Sequence, residues 1–274
     1  MPLIELWMHS PDQLRHKHVQ QIIAFAGSGR LSDGEATSEE FREFLRTVPS
    51  NILARYVIEC LRDRFKGSGY ALQDVVNQIG ERMGFAVDSG RYRGARGHNG
   101  FDGLWHAKDG HAIVVEVKTT DVYRIALSQI VRYQQSLVEA GAIQEGRSSV
   151  LLVVGRQDTD GLEAQIRGSK HAWNIRLITV DGLLRLLRLK EEMGCPDMAR
   201  KICKILVPTE YTKLDRIIDM VFFVTSELTA ERSCTCEVEH GLPVQMEKPD
   251  IVPMGHDDES IARMEQLLKT TLAG

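Results

Sequence analysis

Two short apolar runs lie near the middle of the chain, at residues 101–107 and 112–118, and Lys108-Asp109-Gly110 joins them. The second run is rich in valine and has no internal proline or glycine, which predicts a largely buried strand. Lys-Asp-Gly is a favourable turn sequence between two strands. The pattern therefore predicts a β-hairpin over residues 101–118.

Helical and strand patterns flank this hairpin. Before it, apolar residues recur at helical spacing and predict a helix over about 70–83; they are Leu72, Val75, Val76, Ile79 and Met83. The other patterns predict strands at 85–92, 149–154 and 175–179, and helices at about 122–140, 181–192, 211–228 and 260–272. Strands and helices in this order indicate the α/β class.

The chain has 274 residues, enough for one large domain or two small ones. Residues 1–69 are predicted to form an N-terminal helical module, in which Ser38 is expected to cap a helix. The glycine-rich sequence at 66–69 is expected to join this module to a core over residues 70–195. Residues 196–274 are predicted to form C-terminal helices with an acidic, loop-like tail.

Three charged residues lie within the two apolar runs of the hairpin: Asp102, Glu116 and Lys118. Side chains alternate along a strand, so Glu116 and Lys118 share one face, and the hairpin sets Asp102 beside Glu116. Two adjacent carboxylates repel each other unless a cation lies between them, and Mg²⁺ suits such a pair because it retains several waters. The alternative is a surface hairpin in which Glu116 and Lys118 form a salt bridge.

This triplet resembles the catalytic motif of the PD-(D/E)XK nuclease superfamily, although Phe101 stands where the name-giving pattern has proline. The resemblance implies a restriction-endonuclease-like αβββαβ core with a mixed central sheet. It also implies that Asp102, Glu116 and the main-chain carbonyl of Val117 hold Mg²⁺, for which Mn²⁺ can substitute. Lys118 would then orient or deprotonate the attacking water.

Two neighbouring helices add to the resemblance. Gln129 and Tyr133 match the Gln-x-x-x-Tyr signature of the RecB-like branch, which implies a place near the metal and the DNA; an ordinary amphipathic helix is the alternative. The helix at 70–83 and the following Gly-Phe resemble the opening of Holliday-junction resolvases and Mrr-like restriction enzymes. Gln73 occupies the customary place of a catalytic glutamate there. Glu81 lies eight residues after Gln73, on the same polar stripe of the helix, and is the one carboxylate there. It is a candidate metal ligand or a solvated helix end.

A glycine-rich loop before Asp102 carries Arg91, Arg93 and Arg96. Arginines on a loop beside a metal site suit contacts with DNA phosphates, and a solvated loop is the alternative.

The net charge of −4 argues against a uniformly basic DNA-coating protein, but a nuclease needs only a local positive groove. The chain lacks both an apolar run that could span a bilayer and a signal-peptide pattern, so we expect a cytoplasmic protein without membrane contact.

These expectations combine into a metal-dependent DNA endonuclease, of a restriction or anti-phage defence kind. The alternatives are a catalytically weak nuclease-like scaffold that binds DNA, and a repair resolvase or exonuclease. By analogy with the fold we expect a homodimer, and a partner protein that activates or targets the enzyme is a further expectation.

Overall fold

A computed structural model describes residues 3–63, 65–93, 100–119, 124–155, 158–193, 200–201 and 204–207. The named strands of this part of the chain are β1 (Ala86–Ser89), β2 (Gly103–His106), β3 (Ala112–Lys118), β4 (Ser148–Val154) and β5 (Ile175–Thr179). The named helices are α1 (Leu3–His9), α2 (Pro11–Arg15), α3 (Val19–Phe25), α4 (Ala36–Thr47), α5 (Ser50–Arg62), α6 (Ser68–Met83), α7 (Leu127–Glu139), α8 (Asp160–Arg167) and α9 (Val180–Met193).

The five strands form one mixed sheet in the order β1-β2-β3-β4-β5. The first three strands are antiparallel neighbours, whereas β3, β4 and β5 run parallel. The parallel pairs are connected through α7 and α8, as parallel strands require a long crossover. Helices flank the sheet, so the expected α/β class with a mixed central sheet is confirmed.

The β2–β3 hairpin forms where the sequence predicts it. Gly110 adopts a φ of 85°, a conformation that suits glycine, and the main-chain N–H of His111 donates to the Asp109 carboxylate over 3.1 Å. Most of β3 is buried because its valines and isoleucine lie between two layers of helices. The hairpin thus carries its charged residues to the end of a buried strand.

Alternation along the strands assigns their side chains to two layers. Leu104, Val114 and Leu152 pack with residues of α7 and α8 in one apolar cluster. On the other face, Trp105 lies against α6, and a Cβ at Gly80 would fall 2.5 Å from its ring. Gly80 therefore lets α6 approach the sheet closely.

The N-terminal helices lie on the side of the sheet that α6 covers, and they pack against α6. Both α4 and α5 contact α6, and Leu61 on α5 touches Gly155 just beyond β4. Each of these helices is amphipathic and buries its apolar side. The division into a module over 1–69 and a core over 70–195 remains a prediction.

Several predicted boundaries differ from the structure. Ser38 does not cap α4, which begins at Ala36; its buried hydroxyl instead donates to the carbonyl of Ser32 over 2.8 Å. The first strand is shorter than the predicted 85–92, because Gly90 bends toward Asp102 and Tyr92 turns to α6.

The predicted helices at 211–228 and 260–272 lie outside the described residues, and so does the acidic tail. Within the described part, no helix has the length and apolar character needed to cross a membrane.

Candidate active site

Asp102 and Glu116 face each other at the open end of the β2–β3 hairpin. Gly103 pairs with Val115, so the next step of the register sets Asp102 opposite Glu116. The N–H of Asp102 donates to the Val115 carbonyl over 3.1 Å, and Asp102 Oδ2 accepts the N–H of Val117 over 2.7 Å. The adjacency expected from the sequence is therefore present, and the Asp102 side chain is fixed by main-chain bonds.

Lys118 completes the group on the same strand. It lies two residues after Glu116, on the same face of β3, and its Nζ forms an ion pair with Glu116 Oε1. The Lys118 side chain is 30% exposed and that of Glu116 only 9%. Glu116 is thus buried, whereas its partner Lys118 is half-buried.

Burial makes both carboxylates costly to ionise. It raises the pKa of Asp102 to about 7, and the negative charge of Glu116 adds to the effect, while the Val117 N–H and Lys118 oppose it. Burial likewise raises the pKa of Glu116 despite Lys118. One lysine does not balance two buried carboxylates.

Glu116 also has an unused oxygen. Its Oε1 is bonded to Lys118, but its Oε2 is buried and has no hydrogen-bond partner among the described residues. An unpartnered buried oxygen is uncommon, because leaving it without a partner costs free energy of about 1–3 kcal/mol. Its neighbour, Asp102, is a second carboxylate, so a proton held by the pair or a bound cation would satisfy this oxygen.

Lys118 stays protonated in this arrangement. Burial alone would lower its pKa, but Glu116, Asp102 and Tyr133 outweigh burial and the pKa is raised. A protonated lysine donates hydrogen bonds and supplies positive charge, and it is not a general base.

Three donors hold the main-chain carbonyl of Asp102. The side-chain amides of Gln73 and Asn77 on α6 each donate to it over 2.9 Å, and the N–H of Gly90 donates over 3.0 Å. Both amide side chains are almost fully buried, at 3% exposed. We call Gln73 and Asn77 the amide clamp; it fixes the main chain from which the Asp102 carboxylate projects.

Packing around Asn77 accounts for the glycine after Asp102. Asn77 Oδ1 accepts the indole N–H of Trp105 over 2.9 Å, and a Cβ at Gly103 would fall 2.1 Å from the same oxygen. No role was predicted for Asn77 from the sequence. The available signal was the four-residue spacing of two amides on one helix face.

Gln129 and Tyr133 approach the group from α7. The Gln129 amide donates to the Tyr133 hydroxyl over 2.7 Å. A Cβ at Gly100 would lie 3.1 Å from that hydroxyl, and Tyr133 is among the groups that raise the pKa of Lys118. The structure therefore brings both residues of the Gln-x-x-x-Tyr pattern next to the hairpin, on the face opposite the amide clamp.

Glu81 lies elsewhere. Arg46 on α4 donates to both of its carboxylate oxygens, each over 3.2 Å. No group of three His, Cys, Asp or Glu residues in the described part of the chain is arranged to hold a metal ion, so Glu81 does not join Asp102 and Glu116. Among the described residues, the acids at the site are therefore Asp102 and Glu116.

The arginine loop is described only in part, and Arg96 lies outside the described residues. Arg91 and Arg93 are exposed, and the main-chain N–H groups of Tyr92 and Arg93 donate to the two oxygens of Asp33. The loop is thus anchored to the segment before α4, which the sequence did not indicate.

A second buried acid lies on α6 beside the clamp. Asp74 Oδ1 accepts from Arg42 Nε over 2.8 Å, and Oδ2 accepts from the Tyr92 hydroxyl. Arg42 also lies over the Tyr92 ring, 5.0 Å from its centre. These three residues, here named the Asp74 cluster, join α4, α6 and the arginine loop.

No protein-family model matches the chain, and no curated protein sequence matches it.

Proposed function

We propose that the chain is a Mg²⁺-dependent deoxyribonuclease of the PD-(D/E)XK type with a restriction-endonuclease-like core. The observation that carries the proposal is the convergence of Asp102, Glu116 and Lys118 with an unpartnered Glu116 oxygen. The αβββαβ order from α6 to β4 and the approach of Gln129 and Tyr133 support it.

The residues present fit a hard divalent cation. Asp102 and Glu116 offer carboxylate oxygens, Val117 offers a carbonyl, and Mg²⁺ binds a few such oxygens while it keeps several waters. When bound there, Mg²⁺ would supply positive charge against a phosphate and lower the pKa of water. The buried, mutually repelling carboxylates are costly without such a charge.

The chain's own residues then have separate roles. Protonated Lys118 donates hydrogen bonds that orient the attacking water and balances charge on the phosphate. The amide clamp holds Asp102 in place, since it fixes the carbonyl of the same residue. Gln129 and Tyr133 contact Lys118 or the strand that is cut, and Arg91 contacts phosphates beside it.

Cleavage of supercoiled plasmid in Mg²⁺ tests the proposal. We expect wild-type protein to nick or linearise the plasmid and EDTA to stop it. Glu116→Gln should lower the rate by at least about 10³-fold, because several kcal/mol of charge stabilisation is lost. Glu139→Gln, at the exposed end of α7, is the matched control and should cleave normally. A Glu116→Gln protein that cleaves at the wild-type rate contradicts the proposal.

A nuclease-like domain that binds DNA without cutting it is the second candidate. Gln73 stands where a glutamate is customary and donates to main chain, and no third acid of the described residues joins the pair. Lys118 already pairs with one oxygen of Glu116. DNA binding without cleavage, equal in Mg²⁺ and in EDTA, would favour this candidate.

The biological role within the nuclease proposal depends on the substrate. A restriction or defence enzyme would cut circular duplex DNA, a resolvase would prefer branched DNA, and an exonuclease would require an end. Parallel assays on circular, linear and branched DNA separate the three. Double-strand cleavage also predicts a homodimer, which analytical ultracentrifugation of the protein would detect.

A further inference from the structure

A basic cavity lies at the N-terminal end of α6, outside the carboxylate group. Its volume is about 420 Å³, within the range of small-molecule sites. Its wall brings together the α3–α4 connection, the segment before α6 and the arginine loop; it includes Arg30, Lys66, Arg93, Tyr70, Phe65 and Ile23. Three separate segments of the chain therefore contribute one cation each.

The charge of this cavity is one-sided. No acidic residue lines it, and within the described part of the chain none of Arg30, Lys66 and Arg93 forms an ion pair with a carboxylate. Arg93 is hydrogen-bonded to the Tyr70 side chain and is attracted by the nearby Asp33, whose two oxygens accept main-chain N–H groups of the loop. Three cations therefore line one cavity whose lining includes no acid, and such a surface favours an anionic ligand.

The rest of the wall is apolar and aromatic. Ile23, Phe65 and the Tyr70 ring lie beside the cations, and the Tyr70 ring packs on that of Tyr92 with centroids 4.9 Å apart. A flat base stacks on such side chains, while arginine and lysine bind its phosphate. The cavity thus combines the two surfaces that a single nucleotide presents.

The cavity is also connected to the candidate active site through α6. Tyr70 precedes Gln73 of the amide clamp by three residues, about 4.5 Å along the helix axis. Tyr92, which packs on Tyr70, donates a hydrogen bond from its hydroxyl to Asp74, the residue that follows Gln73 in α6. A ligand held here would lie at one end of the helix whose middle positions Asp102.

We propose that this cavity binds a phosphorylated nucleotide unit, with its phosphate on Arg30, Lys66 and Arg93 and its base on Tyr70 and Phe65. The unit is either the end of a DNA strand or a free nucleotide. Only the first source depends on the proposed nuclease function.

Fluorescence anisotropy of full-length protein in EDTA tests this, since no cleavage occurs under those conditions. The probe is a labelled single-stranded DNA with a 5′-phosphate, and the competitors are the same strand with a 5′-hydroxyl and a nucleoside monophosphate. Arg30→Ala and Arg93→Ala should each raise the Kd by about tenfold, as expected for one charged hydrogen bond. Arg188→Ala, an exposed arginine of α9, is the matched control and should leave the Kd unchanged.

Competition by the mononucleotide identifies a free-nucleotide site, and competition by phosphorylated strands alone identifies a strand-end site. The proposal is overturned if wild-type protein does not bind the probe, if the 5′-hydroxyl strand competes equally well, or if Arg30→Ala and Arg93→Ala bind like Arg188→Ala. Circular dichroism of each variant verifies folding. The nuclease proposal is judged separately, from plasmid cleavage by the wild-type protein in Mg²⁺, so absent cleavage leaves the binding result intact.

Discussion

Two buried carboxylates, Asp74 on α6 and Glu116 on β3, each pair with a cation, but their oxygens are used differently. Both oxygens of Asp74 accept hydrogen bonds, one from Arg42 and one from Tyr92. Glu116 bonds to Lys118 through one oxygen and leaves the other without a partner in the described part of the chain. A second carboxylate, Asp102, lies beside it.

This contrast separates a structural ion pair from a candidate ligand site. Saturated bonding around Asp74 ties three segments together and leaves no place for a ligand. The carboxylate pair is under-bonded and mutually repelling, so it gains most from an added cation. Substitutions at Asp74 should therefore act mainly on stability, and substitutions at Glu116 mainly on metal binding and cleavage.

The largest expected effect on stability is that of Asp74→Ala. The change leaves Arg42 and the Tyr92 hydroxyl without their partner, and breaking a buried pair costs about 3–5 kcal/mol. Urea denaturation should show that loss in the free energy of unfolding. Asp88→Ala, whose side chain is 72% exposed, is the control and should change it little. A loss no larger than that of the control would mean that the Asp74 cluster is not a structural pair.

Asn77→Ala should have a smaller effect that extends to the active site. It removes one donor from the Asp102 carbonyl and the acceptor of the Trp105 indole. Cleavage should fall by about 10–100-fold, as is typical when a residue that positions a metal ligand is lost. The measurement is plasmid cleavage at saturating DNA over a range of Mg²⁺ concentrations, and a raised Mg²⁺ requirement marks a positioning role.

Asn174→Ala is the control for Asn77→Ala. Asn174, just before β5, forms a half-buried amide pair with Gln134 on α7, outside the carboxylate group. Its loss should lower stability while the Mg²⁺ requirement stays at the wild-type value. Equal Mg²⁺ requirements for the two variants would contradict a positioning role for the amide clamp.

The smallest expected effect is a pH dependence of stability. Burial raises the pKa of Asp74 to about 6, although Arg42 and Tyr92 act in the opposite direction. The folded state therefore holds this proton more tightly than the unfolded state, whose carboxyl pKa is about 3.9. The free energy of unfolding should fall as the pH rises from about 4 to about 6, and then lose this dependence.

Urea denaturation at several pH values measures this contribution as a difference between wild type and Asp74→Asn. The variant cannot titrate at this position, so its profile should be flatter between pH 4 and 6. Parallel profiles for the two proteins would show that the Asp74 pKa is not raised by folding.

Local patterns were sufficient for the elements that frame the site. The alternation and β-branched residues of 112–118 predicted β3 with its observed bounds, and Gly110 marked the hairpin turn. Helical spacing predicted α6 to within two residues at its start. These features depend on neighbouring residues in the chain, and the opposition of Asp102 and Glu116 follows from hairpin register alone.

Contacts between distant segments could not be predicted in this way. Gln73, Asn77 and Glu81 share one polar stripe, yet the first two bond to Asp102 and the third to Arg46, which only tertiary packing decides. Similarly, nothing in the sequence around Asp74 indicates that the Tyr92 hydroxyl forms a hydrogen bond with it. Ser38 has a typical capping sequence but is buried within α4, because the helix begins two residues earlier.

Diffraction from a crystal soaked in Mn²⁺ tests the central claim most directly, because the anomalous signal locates the ion. The account predicts a peak between the carboxylates of Asp102 and Glu116, near the carbonyl of Val117, and no such peak in Glu116→Gln crystals. An empty position there at a Mn²⁺ concentration that supports cleavage, with Lys118 still paired to Glu116, would contradict the account.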